Sequence, residues 1–347
     1  YNIVSQRVRY ELKIRLHRDS EGQPHAVYVI HEQCSALPKR GDKADYLKNL
    51  NLMYSANSSP YIRTYVERNA IEVRQDGPYR HGKPVTLPLS TATRTALSTI
   101  STSEFPHLYA LKKALSGFKF LEINPASARS SNDRLEEGNL RADASNLASA
   151  LFKIKSETET LDRPEGVISD ITSALTSLIP SVKAVQVVND HSQRRIEFSL
   201  KFSDNQEFSS RVISDGTLRL LALLTVLNDP IRQGTLCFEE PENGVHEGRI
   251  GQLVEIMRLS TEMSTDKSAI PFQILINTHS PRLLSELRDN EVVVADIVGY
   301  LDKDSESKVT KTRMRVGLNQ DQDLFDPERH ISRSEVHRIL QNGSDAA

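Results

Sequence analysis

Three short strings combine residue types that could handle a phosphate group. The chain reads ISDGT at 213–217, LCFEEP at 236–241 and LINTHS at 275–280. Ser214 is a good N-cap for the apolar run that follows it, and Asp215-Gly216 permits a tight turn. A helix N-terminus offers unpaired N–H groups and the positive end of a dipole, which together bind anions. A hydroxyl and a residue without Cβ let a phosphate come close. The same string also describes a capped core helix with nothing bound. Glu239 and Glu240 close an apolar strand. Adjacent strand residues point to opposite faces, so two such acids would have different tasks. One can reach a magnesium ion or its waters, and the other can orient and polarise an attacking water. Pro241 stops the strand and keeps both acids at the rim; a solvated acidic strand end is the plainer reading. His279 could hydrogen-bond a terminal phosphate oxygen, although a histidine at a strand end is often structural. The three strings gain weight from their order within residues 211–284.

The elements that must position these residues are legible from periodicity. RYELKIRL and HAVYVIHEQ alternate with period two on either side of a turn-rich segment and predict a hairpin over 8–34. Residues 35–60 read as a loop. A strand, a turn and further strand follow through Leu87. Residues 91–115 form a weak helical region interrupted by Pro106, and FKFLEINP is a short strand. Residues 129–163 read as a polar helical stretch, with Leu147, Leu151 and Ile154 on one face. They suit either an amphipathic helix on the core or a partner-contacting arm. A second amphipathic helix ends near Pro180. Three meander strands, the last being EFSSRVIS, lead into the central region. Strands at EVVVADIVGYL and KTRMRVGL, an acidic loop from Gln320 to Pro327 and a final helix complete the chain. The expected fold is mixed α/β.

Composition narrows the class. The 347 residues are 38% hydrophobic and 26% charged, enough for one large domain or two ordinary ones. A net charge of −2 gives no global argument for nucleic acid. Cys34 and Cys237 are too few for a disulfide framework. Leu218 to Leu227 is too short to span a bilayer, and the first residues carry no secretory signal. A cytoplasmic protein with no membrane partner is expected.

The central region resembles an ABC-type ATPase head of the SMC, RecF and OLD group, especially its stand-alone prokaryotic members. ISDGT is similar to the signature loop, LCFEEP to the Walker B strand, ENGVH at 242–246 lies where the D-loop follows, and His279 matches the switch histidine. The resemblance is strong over 185–300 and looser over 118–155. It implies ATP and Mg2+ as ligands, with Glu239 on the metal side and Glu240 and His279 as the catalytic pair. Ser214, Asp215, Gly216, Thr217, Asn243 and His246 would form nucleotide-contacting loops. Glu239 stands where Asp is commoner and His246 where many such proteins have an acid. The implied fold is an ABC-type P-loop NTPase head with a mixed central sheet, an antiparallel β-subdomain and a helical insertion. The corresponding divisions are a β-rich part over 1–128, a helical insertion or arm over 129–182 and a C-terminal lobe over 183–347.

Such a head needs a G-x-x-x-x-G-K-[ST] phosphate loop. The nearest string, GPYRHGKP at 77–84, ends in Pro84 where a hydroxyl should bind magnesium, and its context is strand–turn–strand. A hairpin turn is expected there. Ser116-Gly117 is followed by no suitable helix, and no glutamine can be assigned to a Q-loop. The phosphate loop is therefore expected ahead of Tyr1, the other reading being a degenerate head without one. Two functions stay open at this point. One is an ATPase that dimerises with a second copy of itself around nucleotide and controls a separate effector, a nuclease or toxin, in anti-phage defence or DNA maintenance. The other is a non-hydrolysing scaffold or sensor head that holds such an effector or binds DNA. No nuclease set of acids is legible within this chain.

Overall fold

A computed structural model of the chain describes residues 3–41, 52–55, 59–75, 83–102, 104–262, 272–301, 308–318 and 325–343. They divide into two compact units, Tyr1–Gly117 and Phe118–Ala347. The division falls ahead of the 128/129 boundary expected from sequence. The reason is pairing: the strand beginning at Phe118 belongs to the sheet of the second unit.

The first unit is one antiparallel sheet in chain order: β1 (Val8–Arg18), β2 (Pro24–Ala36), β3 (Ile62–Tyr65), β4 (Ala70–Val73) and β5 (Val85–Pro88). The β1–β2 turn is held by Asp19, whose Oδ1 accepts from the Glu21 and Gln23 N–H groups at 3.0 and 2.8 Å, as turn aspartates do. Residues 76–82, and with them most of the GPYRHGKP string, lie outside the described residues. The flanking β4 and β5 pair antiparallel. Pro106 does not interrupt a helix as expected; it opens α1 (Pro106–Ser116), where its missing N–H costs nothing. Cys34, Ile62, Ile71 and Leu108 form the centre of this core. Glu32 is fully buried but satisfied: its carboxylate accepts from the Ala96 and Leu97 N–H groups at 2.6 and 2.9 Å and from Tyr10 Oη at 3.1 Å.

The second unit begins with β6 (Phe118–Leu121), α2 (Pro125–Ala128), β7 (Asn132–Asp133), α3 (Leu147–Thr158) and α4 (Ile168–Leu178). Helix is absent from the expected 129–146 portion because side-chain amides take up its backbone groups. Asn146 Nδ2 donates to the Glu137 and Asn139 carbonyls, each at 2.7 Å, and Asn132 Nδ2 donates to Ser145 O at 2.8 Å. Leu147, Leu151, Ile171 and Leu175 share one core with the following strands, so α3 and α4 pack as core helices. β8 (Val182–Asp190), β9 (Arg195–Phe202) and β10 (Glu207–Ser209) form the meander, and β7 pairs with β9. The last meander strand is shorter than EFSSRVIS. Residues 210–212 turn as a 3-10 helix, where Ser210 Oγ donates to Arg129 O at 2.7 Å.

Then come α5 (Asp215–Leu227), β11 (Gly234–Glu239), α6 (Ile250–Thr261), β12 (Phe272–Asn277) and α7 (Pro281–Glu286). Past its first turn α5 is apolar apart from Arg219, with Leu218 and Leu220 to Leu224 buried, as a central helix must be. β11 lies between β12 and β6, parallel to both. Leu121, Leu236 and Phe238 face the core. On the opposite face Phe120 and Leu275 are 68% and 59% exposed. That face walls a groove of about 1070 Å3, which β13 (Val293–Leu301) and β14 (Lys308–Gly317) also line through Val293, Ala295 and Met314. β15 (His330–Ile331) and α8 (Arg333–Gly343) close the unit. No helix among the described residues is long and apolar enough to cross a membrane.

Burial predicts an asymmetry in stability. Leu221→Ala, in the fully buried helix, should cost roughly 2–5 kcal/mol. Leu275→Ala, on the exposed sheet face, should stay within about 0.5 kcal/mol. Urea denaturation of the two variants measures the contrast, and equal losses would contradict this placement of the core.

Candidate functional site

The parallel register fixes where the acids and the histidine emerge. Glu239 lies opposite Asn277 at the last paired position of β11 and β12, so both strands release their next residues at the same edge. The Glu240 N–H donates to Asn277 O at 2.8 Å. Its φ is +49°, a left-handed conformation that costs a residue with a Cβ roughly 1–2 kcal/mol. Glu240 therefore does not continue the strand alternation expected from sequence; a turn, not the pleat, sets its direction. Its carbonyl accepts from the Asn243 N–H at 3.1 Å, which closes that turn. Backbone strain of this kind clusters at functional positions.

Glu240 and His279 meet. Glu240 Oε1 lies 3.8 Å from His279 Nε2, and the imidazole is 83% exposed. That spacing is too long for a direct hydrogen bond and leaves the ring free to reach another group. Glu239 is exposed at the strand end, and no hydrogen bond or ion pair holds its carboxylate among the described residues. One open carboxylate beside a phosphate site is the donor set Mg2+ commonly takes, because waters and phosphate oxygens complete its octahedron. Among the described residues no three His, Cys, Asp or Glu side chains cluster to hold a metal by themselves. Glu239 thus fits a metal held jointly with substrate.

The start of α5 is a second cluster. Ser214 caps it: Ser214 Oγ accepts from the Thr217 N–H at 3.3 Å and lies 2.8 Å from Thr217 Oγ1. Neither the Asp215 nor the Gly216 N–H finds a partner among the described residues. Asp215 itself is engaged by Arg129, whose Nη2 also donates to Ile213 O at 2.8 Å. The carboxylate steadies the turn rather than opening toward an anion. Arg129 and Arg211 line a shallow pocket of about 260 Å3 with Ser130 and Ser131, and their charges favour an anion near the helix start.

A glycine contact ties the two clusters together. A Cβ on Gly216 would lie 2.7 Å from Gly244 Cα, and Gly244 has φ +95°. The backbone after Glu240 and the backbone at the start of α5 thus touch where only glycines fit. His246 serves as a cap: its Nδ1 accepts from the Gly248 N–H at 3.1 Å in the short turn leading into α6. Asn243 is exposed beside Gly244.

Four residues were not singled out from sequence: Arg129, Arg211, Glu242 and Thr278. Glu242 is only 9% exposed. One of its oxygens accepts from Thr278 Oγ1, while Oε2 is buried without a partner. Burial pushes the Glu242 carboxyl above the usual carboxylate range and the nearby Glu240 charge adds to this, against the hydrogen bond from Thr278. The sequence signal available was a third acid just after Pro241, aligned with a hydroxyl at the next strand's exit.

Comparison with known proteins identifies a matching family. Residues 85–285 match the family described as AAA domain, putative AbiEii toxin, Type IV TA system. No curated protein matches the chain. Similar solved structures include an Smc head domain with a coiled coil and joint derived from Pyrococcus yayanosii, at 10% identity and TM-score 0.33 over 58% of this chain and 34% of that one. The chain therefore spans about a third of that relative. An Smc head bound to the C-winged helix domain of ScpA is 9% identical, with TM-score 0.35 over 88% of this chain and 78% of that one.

Two stability measurements test this geometry. Gly244→Ala places a Cβ 2.5 Å from Gly216 Cα at a left-handed φ and should cost roughly 1–3 kcal/mol. An unchanged denaturation midpoint would refute the contact. For Glu242, a raised carboxyl pKa means that the folded state holds its proton more tightly. That stability is present below the unfolded carboxylate range and is lost as pH rises through the folded value. Glu242→Gln should therefore gain in Tm relative to the unsubstituted protein as pH rises from the acid range to neutrality. A pH-independent Tm difference would contradict the shift.

Proposed function

Because the chain belongs to the AAA-domain family that its residues 85–285 match, we propose that it hydrolyses ATP to ADP and phosphate at a site shared between two copies of itself. The observation that carries this reading is the meeting of Glu240 and His279 at the common exit of two parallel strands, 3.8 Å apart. Glu239, adjacent and unpaired among the described residues, is the residue that would hold Mg2+. A bound Mg2+ would supply charge neutralisation at the phosphates. Glu240 orients the attacking water and draws its proton as the water oxygen bonds to the terminal phosphorus and the bond from that phosphorus to the ADP oxygen breaks, ADP leaving with the electron pair. His279, whose ring is exposed, directs an N–H to a terminal phosphate oxygen.

The start of α5 supports the two-copy reading. Ser214, Gly216 and Thr217 present a hydroxyl-capped helix end, and the Asp215 and Gly216 N–H groups, without a partner among the described residues, are donors an anion could take. In this reading the anion is the nucleotide of the other copy, with Asn243 and His246 at the same interface. The P-loop that cradles the phosphates is not among the 347 residues, whose only G-x-x-x-x-G-K string ends in Pro84. Nucleotide then acts as glue between copies, because a ligand bound only by the dimer stabilises it by mass action.

The family that residues 85–285 match is described as including a putative toxin of a type IV toxin–antitoxin system. On that basis the ATPase controls a separate effector protein, in prokaryotic anti-phage defence or DNA maintenance. DNA contact remains part of this proposal by family analogy alone, since a net charge of −2 supplies no general attraction.

Glu240→Gln in the full-length protein should lower steady-state ATP hydrolysis by roughly 100-fold or more and leave an ATP-bound dimer that persists on size exclusion. Unchanged turnover would contradict the assignment. Absence of hydrolysis in the unsubstituted protein would favour a scaffold or sensor head instead.

A further inference from the structure

We infer that Glu242 is a positioning residue, a strut that sets His279 against Glu240. The inference rests on the hydrolytic reading above. His279 makes no hydrogen bond of its own among the described residues, and the Glu240 carboxylate lies 3.8 Å from its ring. Its place is therefore set by the residues on either side. Thr278 donates its hydroxyl hydrogen to Glu242. The same Oγ1 accepts from the Ser280 N–H at 3.0 Å. Ser280 in turn caps α7, its Oγ accepting from the Leu283 N–H at 3.2 Å. The two residues flanking His279 are thus both fastened, and the chain of bonds leads back to one carboxyl.

That carboxyl is itself held by the turn that carries Glu240. The Glu242 carbonyl accepts from the Val245 N–H at 2.9 Å, and the Glu240 carbonyl accepts from the Asn243 N–H at 3.1 Å. Residues 240 to 245 form one closed turn, with Gly244 pressed against Gly216. Glu242 therefore joins the loop bearing the acid to the loop bearing the histidine by a side-chain tie, in addition to the backbone bond from Glu240 N to Asn277 O.

The chemistry of the tie is what separates positioning from simple support. A neutral acceptor would hold Thr278 equally well. Glu242 instead brings a second buried oxygen without a geometric hydrogen-bond partner among the described residues, close to the Glu240 side chain, an arrangement that costs stability. It stands beside Glu240, whose charge it feels. A purely structural tie has no need of this; a group that sets the spacing and orientation of a reacting pair does, because small displacements at such pairs change rates strongly.

The test compares Thr278→Val, Thr278→Ser and Glu242→Ala in the full-length protein. Steady-state ATP hydrolysis is read as a kcat-against-KM split, and the imidazole resonances of His279 are followed by NMR in folded protein verified by Tm. Thr278→Val and Glu242→Ala should lower kcat about tenfold or more with KM within about threefold. Thr278→Ser, which keeps the hydroxyl, should restore most of the kcat that valine loses. The His279 resonance should shift in the first two variants and return in the third. An unmoved His279 resonance in folded Thr278→Val overturns the inference, whether or not the protein turns over ATP. Wild-type kcat in Thr278→Val, in an enzyme that Glu240→Gln inactivates, overturns the strut alone and leaves the hydrolytic reading standing. An enzyme indifferent to Glu240→Gln overturns both.

Discussion

Parallel pairing of β11 with β12, in register to Glu239 opposite Asn277, is the constraint on which the site depends. Parallel strands release their C-terminal residues on one edge, and the exits of β11 and β12 carry the acids and the histidine respectively. A slip of one residue would turn the buried Leu236 and Phe238 outward and bring Cys237 and Glu239 inward. The hydrophobic core thus enforces the register that places Glu240 beside His279. The left-handed turn at Glu240 then departs from the pleat, and two glycines allow that turn to press against the start of α5.

This packing makes one solid block of three loops that come from distant parts of the chain. Glu240 to Val245 is the middle of the block. It meets Thr278 on one side through Glu242 and Gly216 on the other through Gly244. In the proposed mechanism a change at His279 would therefore be felt at the capped start of α5. That is the link an ATPase working as a pair of copies would need, since α5 serves the other copy's nucleotide in this account. Burial of α5 from Leu220 to Thr225 gives it the stiffness to transmit such a shift.

The sequence made the exits legible because each apolar run ends in residues that cannot belong to a core: Glu239-Glu240-Pro241 in one case and Thr278-His279-Ser280 in the other. The cap at Ser214 was legible for the same local reason. What stayed hidden depends on pairing across the chain. Glu242 and Thr278 lie 36 positions apart, and Arg129 and Asp215 lie 86 apart; no local pattern relates them. The left-handed φ of Glu240 was hidden because a glutamate after a strand reads as its continuation. The helical expectation over 129–146 failed because Asn132 and Asn146 offered the backbone better partners than a helix did. The division of the chain at Gly117 rather than at residue 128 follows from a strand whose partner lies more than a hundred residues onward, and charge or composition does not announce such a partner.

The central claim is that the acids of one copy work with the α5 start of another. Mixing two inactive variants of the full-length protein, Glu240→Gln and Ser214→Arg, tests it most directly. A mixed pair contains one site with both defects and one with Glu240 and Ser214 intact. The account predicts that ATP hydrolysis, absent from each variant alone, returns on mixing. If the mixture stays as inactive as its components while mixed dimers form, the acids and the helix start serve the same copy and the shared site is wrong.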